Sequence, residues 1–232
     1  MTRSTAHAIP ALMLLAAFAG CQTVSDVTAP EYRPEQAEFE SAVADGLQSS
    51  WVFQCDTLAP VTAHFYEDQL RLDLTTQQMD LPQVPAASGV RFSDGQTSFH
   101  SRGSAATLTG PGVAAQCSGQ AFTSVQSGAR LRGAALRAVG QEPGWLLEVV
   151  PARWMHYRGS YGAENILTPV PPPRSLDNGV AWQSQAGEHS LRLEVRDQYC
   201  EDIMSGEPYP LTAVLYVNDD RLQGCAELLD QP

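Results

Sequence analysis

The sequence is poor in positive charge. It contains no lysine, and its 14 basic residues, all arginine, face 26 acidic ones, which gives a formal net charge of −12. Nucleic-acid binding relies on lysine and arginine contacts to phosphates, so this balance argues against a nucleic-acid partner. The negative charge serves solubility or steers the protein toward a basic partner, and composition alone does not separate these two roles.

Motifs for metals, nucleotides and covalent catalysis are missing as well. The sequence has no Cys-x-x-Cys pair, no phosphate-binding loop and no nucleotide fingerprint, and its histidines lack metal-ligand spacing. Ser88 and His100 are near enough in the chain to meet across a hairpin, but no Gly-x-Ser-x-Gly elbow accompanies them. We therefore expect no metal, no cofactor and no enzymatic activity.

Apolar runs are short, and the one that stands out covers Ala8 to Phe18. A membrane-spanning helix needs about 20 residues, whereas this run has the length of a secretory signal core and follows Arg3. Small residues lead into Cys21 as they do in the lipobox of bacterial lipoproteins. We predict cleavage before Cys21 and lipid attachment to it; a plain signal peptide with an incidental cysteine is the alternative.

The residues after Cys21 indicate a tether and its destination. In the lipoprotein sorting pattern an aspartate at the next position favours the inner membrane, so Gln22 predicts the outer membrane, facing the periplasm. Residues 21–48 contain prolines and several acids, which is typical of a tether, and we expect a short helix over Glu35–Leu47.

The sequence has five cysteines, an odd number for an exported protein. Lipidation of Cys21 leaves Cys55, Cys117, Cys200 and Cys225, and an oxidising compartment favours disulfides between them. Four cysteines allow three pairings. The segregated one, Cys55–Cys117 with Cys200–Cys225, puts one bridge in each half, but counting alone leaves the others open.

Alternation of apolar and polar residues predicts half-buried strands, for example through Leu70–Leu74 and Leu191–Val195. No convincing amphipathic helix of a dozen residues interrupts this pattern beyond the tether. The predicted fold class is therefore all-β, with two small antiparallel β modules. Further strands are expected at Trp51–Cys55, Val61–Glu67, Trp145–Val150, Arg153–Arg158 and Leu211–Asn218.

We divide the chain at a small, polar stretch, Ser124–Ala129, between the two cysteine pairs. The proline-rich segment Tyr161–Asn178 is expected to be a long surface loop. The predicted parts are a signal peptide at 1–20, a tether at 21–48, a first module at 49–120, a linker at 121–132 and a second module at 133–232.

Asp94-Gly95 predicts a hairpin turn in the first module. The hairpin brings Ser88 close to Arg102. A two-residue turn leaves these two side chains on opposite faces, whereas a three-residue loop with Gly95 left-handed puts them on one face. The apolar pattern favours the two-residue turn, which pairs Phe92 with Thr97, Val90 with Phe99 and Ser88 with Ser101, and places Val90, Phe92 and Phe99 on one face.

Residues of about 50–118 resemble the membrane-bound or periplasmic inhibitors of C-type lysozyme (MliC/PliC). The resemblance begins at Trp51 and Cys55, passes through the hairpin and ends at Cys117. In that family a Ser-Gly loop and a Lys-Gly loop enter the lysozyme cleft. They correspond to Ser88-Gly89 and Arg102-Gly103. The resemblance implies a small antiparallel β-barrel closed by Cys55–Cys117, with C-type lysozyme as the partner.

The chemistry expected of this pair follows from lysozyme itself, which hydrolyses glycans with two carboxylates. Ser88 can donate a hydrogen bond and Arg102 a charge-assisted one. Arg102 replaces the usual lysine with a wider, planar group, and Phe92 replaces the usual tyrosine. The alternatives are that Ser88-Gly89 only forms a turn and Arg102 is a solvated charge, in a structural, assembly or glycan-binding lipoprotein.

The second module resembles, over residues of about 133–228, a domain of unknown function from bacterial envelope proteins. The resemblance lies in residues 138–145, 200–210 and 222–225, and it fits a β module pinned by Cys200–Cys225. Glu142, Asp202 and Ser205 form a polar cluster if their loops converge, but we expect them to cap turns. We assign no activity to this module.

Overall fold

The computed structural model describes residues 46–230, so the predicted signal peptide, Cys21 and the tether up to residue 45 lie outside the described residues. The described part of the chain is all-β, as predicted, with a single short α-helix and one 3-10 turn in that range. Across the same residues no helix is both long and apolar enough to cross a membrane.

The first eight strands form a closed barrel in which each strand pairs with the next one along the chain and the last returns to the first. All these pairings are antiparallel, so every connection within the barrel is a hairpin. The strands are β1 (Ser49–Cys55), β2 (Val61–Phe65), β3 (Gln69–Leu74), β4 (Gln77–Val84), β5 (Val90–Ser93), β6 (Ser98–Arg102), β7 (Ala105–Gly110) and β8 (Val113–Phe122).

Side chains from alternate positions fill the barrel. Leu70 and Leu72 are fully buried, as their alternation predicts, and Phe53 and Phe99 meet edge to face with ring centroids 5.2 Å apart. The predicted Cys55–Cys117 disulfide joins β1 to β8 at directly opposite positions, where the barrel closes.

The register of the β5–β6 hairpin differs from the prediction. Phe92 lies opposite Phe99 and Ser93 opposite Ser98, so the connection has four residues instead of two. The Asp94 carboxylate accepts hydrogen bonds from the backbone amides at positions 96 and 97 at 2.8 and 2.7 Å, which stabilises the wider turn. Val90 is 39 % exposed and does not join the apolar face, because the pairing of β4 with β5 begins only after it, at Arg91.

The polar stretch between the modules forms a helix, α1 (Val125–Leu131). Ser124 and Ser127 form a reciprocal capping box at its start, and Gly128 and Ala129 are buried. The helix lies inside the range predicted as a linker, while the boundaries of the two modules as independent domains stay a prediction.

A second sheet of nine strands follows, in the order β12-β11-β10-β9-β19-β18-β15-β14-β13. Its first and last strands pair in the middle of the sheet. The strands are β9 (Leu136–Gly140), β10 (Trp145–Val150), β11 (Trp154–Gly159), β12 (Glu164–Pro169), β13 (Arg174–Leu176), β14 (Gly179–Ala186), β15 (His189–Arg196), β18 (Leu211–Val217) and β19 (Asp220–Leu228), and a separate pair contains β16 (Cys200–Glu201) and β17 (Pro208–Tyr209).

The expected long loop at Tyr161–Asn178 is wrong, because β12 and β13 lie within it. Ile166 and Thr168 alternate with exposed or half-buried neighbours, so this segment has the pattern of an edge strand that its prolines obscured. The Ser184 hydroxyl donates to the Pro169 carbonyl and brings β14 against β12, so the sheet curls around its own core.

The predicted Cys200–Cys225 disulfide ties the β16–β17 hairpin to β19. Together with Cys55–Cys117 it confirms the segregated pairing, with one bridge in the barrel and one in the second sheet.

Candidate functional site

The two predicted loops lie side by side at one end of the β5–β6 hairpin. Ser88-Gly89 directly precede β5. Arg102 is the last residue of β6, and Gly103 follows it. Val90 lies opposite Ser101, so the two dipeptides lie next to each other at this end of the hairpin. All four loop residues are exposed. The structure therefore brings together the four residues that the sequence singled out, although by a different register from the expected one.

Close packing of the backbone fixes this arrangement. Gly89 has a φ of +69°, and a Cβ atom added there would overlap the Ser101 carbonyl oxygen and lie 2.7 Å from the Cγ of Arg102. Only glycine combines this φ with such an approach at low cost. Gly103 also has a positive φ, +61°, but its missing side chain would point into open space.

Side chains of β6 hold the backbone of both loops. The Nε2 of His100 lies 2.8 Å from the Ser88 carbonyl oxygen and donates to it in the tautomer that carries its proton there. The Ser101 hydroxyl donates to the Gly103 carbonyl at 3.3 Å. His100 and Ser88 do meet across the hairpin, but the imidazole contacts the Ser88 carbonyl and not its hydroxyl, which agrees with setting a serine–histidine pair aside.

Arg102 differs from the other two arginines of the barrel strands. The Arg71 guanidinium pairs with Asp80 at 2.9 Å, and that of Arg91 donates to the Ser98 hydroxyl at 3.0 Å. Within residues 46–230 the Arg102 guanidinium has no such hydrogen bond or ion pair, and the residue is exposed. The loop pair thus exposes to solvent a hydroxyl and a guanidinium that has no hydrogen bond or ion pair among residues 46–230.

A second polar arrangement, which sequence reasoning missed, crosses β1, β2 and β3. The Ser50 hydroxyl lies 2.8 Å from Nδ1 of His64, whose Nε2 lies 3.4 Å from Asp73. In serine hydrolases the nucleophile bonds Nε2, and it must be open to substrate. Ser50 is only 2 % exposed, so this chain ties three strands together.

The predicted polar residues of the second module meet in part. Asp202 accepts bonds from the backbone amides of Met204 and Ser205 and from the Ser205 hydroxyl, so it caps its own turn as expected. The neighbouring loop does converge on it, but through Gln141, whose amide donates at 3.1 Å. Glu142 is exposed and takes no part in these bonds.

In the described part of the chain no group of three or more His, Cys, Asp or Glu side chains is placed to hold a metal ion.

Residues 53–116 match the family model described as the membrane-bound lysozyme-inhibitor of c-type lysozyme, MliC. The match lies wholly within the barrel and includes the β5–β6 hairpin, which confirms the resemblance seen in the sequence for this part of the chain. The family is one of inhibitors, not enzymes. No curated protein and no solved structure matches the chain.

Proposed function

We propose that the protein inhibits C-type lysozyme by placing the Ser88-Gly89 and Arg102-Gly103 loops in the catalytic cleft of the enzyme. The observation that carries the proposal is the Arg102 guanidinium, exposed and uncommitted beside Ser88 at the edge of a barrel that matches an inhibitor family. An inhibitor of this kind protects peptidoglycan.

Lysozyme chemistry explains why this pair suits the task. The enzyme works with two carboxylates flanking the scissile bond. A guanidinium forms charge-assisted bonds to a carboxylate, and a serine hydroxyl supplies a further donor. Because Gly89 packs directly on Ser101 and the Arg102 stem, little loop ordering remains to be done on binding.

The charge of the chain supports the same partner. Lysozymes of this class are strongly basic outside the cleft, whereas this chain has a net charge of −12. Opposite charges accelerate encounter and make the association rate fall as salt is added. We expect inhibition to set in more slowly at physiological salt than at low salt.

The test uses the mature chain with Cys21→Ser, oxidised and free of lipid, added to C-type lysozyme acting on a cell-wall suspension. The wild-type loops should inhibit stoichiometrically, and Ser88→Ala/Arg102→Ala should weaken inhibition by at least about a hundredfold, as expected for losing a hydroxyl and a charged contact. Arg71→Ala removes the same charge from β3 and serves as the control.

Equal loss in Arg71→Ala and the double variant would reduce the effect to overall charge and contradict the proposed site. Absence of inhibition by the wild-type loops at micromolar concentration would overturn the function itself. Circular dichroism of each variant excludes loss of fold as the cause.

We further propose that a lipid on Cys21 anchors the protein, and that Gln22 directs it to the outer membrane, facing the periplasm. The support is the short apolar run and the small residues before Cys21. Mass spectrometry of the exported chain should find a diacylglyceryl and acyl mass on Cys21. Gln22→Asp should move the protein to the inner membrane, and recovery of unlipidated wild type would contradict the anchor.

A further inference from the structure

A cleft of about 550 Å³ opens between the barrel and the second sheet, away from the β5–β6 loops. Its barrel wall is formed by Asp73–Gln78, which comprise the end of β3, the turn and the start of β4, together with Pro60 and Thr62. Its opposite wall is mainly the outer face of β9 to β12. The volume falls within the range of small-molecule sites, and three arginines converge there in a chain that is strongly acidic overall.

The sheet wall carries a row of charged and polar side chains among apolar ones such as Val139 and Leu146. Directly opposite residues share a face, so His156, Glu148 and Arg137 form one row across β11, β10 and β9. Met155 and Tyr157, the alternate residues of β11, point into the sheet core. A charged face turned toward another module is costly unless its groups are satisfied, so each of these groups needs a partner.

The carboxylates of the cleft have their partners within the protein. Glu148 accepts two bonds from the Arg132 guanidinium, and Asp73 accepts from the Gln78 amide at 2.6 Å. Asp202 is bonded by Gln141 and its own turn. Arg132 therefore offsets the charge of Glu148, while hydrogen bonds from neutral donors occupy acceptor positions of Asp73 and Asp202.

The Arg158 side chain, unlike these carboxylates, has only one distant ion-pair contact among the described residues. Its guanidinium comes no closer than 3.8 Å to the Glu148 carboxylate, which Arg132 already engages, and among residues 46–230 it takes part in no hydrogen bond. Burial lowers the pKa of Arg158, and the Glu148 carboxylate only partly offsets this. Its side chain keeps 31 % of its surface exposed, so an anion can reach it.

The remaining lining suits a sugar. Thr75, Thr76 and Gln77 on the barrel side and Asn165 on the sheet side offer hydroxyl and amide groups, and the half-buried Trp154 adds apolar surface. We propose that this cleft binds a carboxylate-bearing saccharide of the peptidoglycan type, with the carboxylate on Arg158. The choice of ligand rests on the proposed role at the cell wall.

The experiment is an NMR titration of the mature chain with Cys21→Ser, labelled with ¹⁵N, in the absence of lysozyme. The probe is the disaccharide of N-acetylglucosamine and N-acetylmuramic acid; N,N′-diacetylchitobiose lacks the lactyl carboxylate, and acetate lacks the sugar. The first should shift amide signals around Arg158 and bind at least about tenfold more tightly than either control, because only it makes the charge-assisted bond and the sugar contacts together.

Two variants locate the site. Arg158→Gln should weaken binding by about tenfold or more, and Thr76→Trp should block the cleft from an exposed turn without removing any member of the ion-pair network. Arg192→Gln, on β15 where the guanidinium lies over Tyr216, is the matched control and should leave binding unchanged.

Equal binding of chitobiose, or of acetate, would overturn the proposal, as would binding unaffected by Thr76→Trp. Lysozyme is absent from the titration, so its result is independent of inhibition. If the protein inhibits lysozyme but binds no saccharide, only the proposal for the cleft is refuted. If it binds the saccharide without inhibiting lysozyme, only the proposed inhibitor function is refuted.

Discussion

The barrel and the second sheet are both antiparallel and each carries one disulfide, yet they differ in how their strands are connected. In the barrel every pairing joins neighbours in sequence except the closure of β8 on β1. In the second sheet the central pairing joins β9 to β19, whose paired residues, such as Val139 and Cys225, are about 90 positions apart in the chain. Local hairpins can be predicted from the sequence, whereas the pairing of strands that are distant in the chain depends on the whole sheet.

The two modules also use polar groups differently. The barrel keeps its interior apolar and displays its candidate binding groups on loops at one end. The second sheet buries a carboxylate, Glu148, against arginines on the face that meets the barrel. The residues of an exposed loop site can therefore be found from their positions in the chain. The side chains that meet on a buried sheet face depend on the register of several strands.

Removing each disulfide in turn compares how strongly the barrel and the second sheet depend on their bridges. It should cause the largest loss of unfolding free energy. Cys55–Cys117 spans 62 residues and Cys200–Cys225 spans 25, so chain-entropy arguments give losses of about 4 and about 3.5 kcal/mol. Urea unfolding of the two paired Cys→Ala variants measures these losses. A smaller loss for the barrel bridge than for the second would contradict the loop-length argument.

Glu148→Gln tests the buried ion pairs and should cost about 3 kcal/mol at neutral pH, because Arg132 and Arg158 lose their charge partner. Burial by itself raises the pKa of Glu148, but the charge and bonds of Arg132, helped by Arg158, hold it at about 2. This contribution is fully present above the unfolded pKa of 4.5 and is lost as the pH falls toward 2.

Unfolding free energies of wild type and Glu148→Gln measured from pH 7 to pH 2 check the sign. The two curves should converge below pH 4.5, since only the wild type loses the Glu148 term. A difference that stays constant down to pH 2 would show that the variant acts through packing instead.

Alanine substitutions at the two loop glycines, compared with each other, distinguish steric overlap from backbone strain. Gly89→Ala should cost about 2 kcal/mol and weaken lysozyme inhibition at least about tenfold, because its Cβ collides with the Ser101 carbonyl and a positive φ is unfavourable. Gly103→Ala meets no neighbour and should cost about 1 kcal/mol. Urea midpoints and inhibition assays measure both, and equal effects would rule out the close approach as the cause.

His100→Ala should have the smallest effect. It removes the bond to the Ser88 carbonyl, worth about 1 kcal/mol, and should weaken inhibition by about fivefold through a looser Ser88 loop. His100→Gln keeps an amide donor on the same strand and should recover part of the inhibition. Identical inhibition by all three chains would show that this bond does not position the loop.

The fold class, most barrel strands and the meeting of Ser88-Gly89 with Arg102-Gly103 were predictable from the sequence, as were both disulfides once the resemblance was recognised. These depend on alternation, turn residues and cysteine count, which act over short stretches of chain. The four-residue turn at Asp94 became visible only in the fold, where side-chain bonds to two backbone amides outweigh the two-residue alternative. The same holds for β12 and β13, the Ser50–His64–Asp73 chain and the Arg158 cleft, because each requires strands whose mutual register no local pattern specifies.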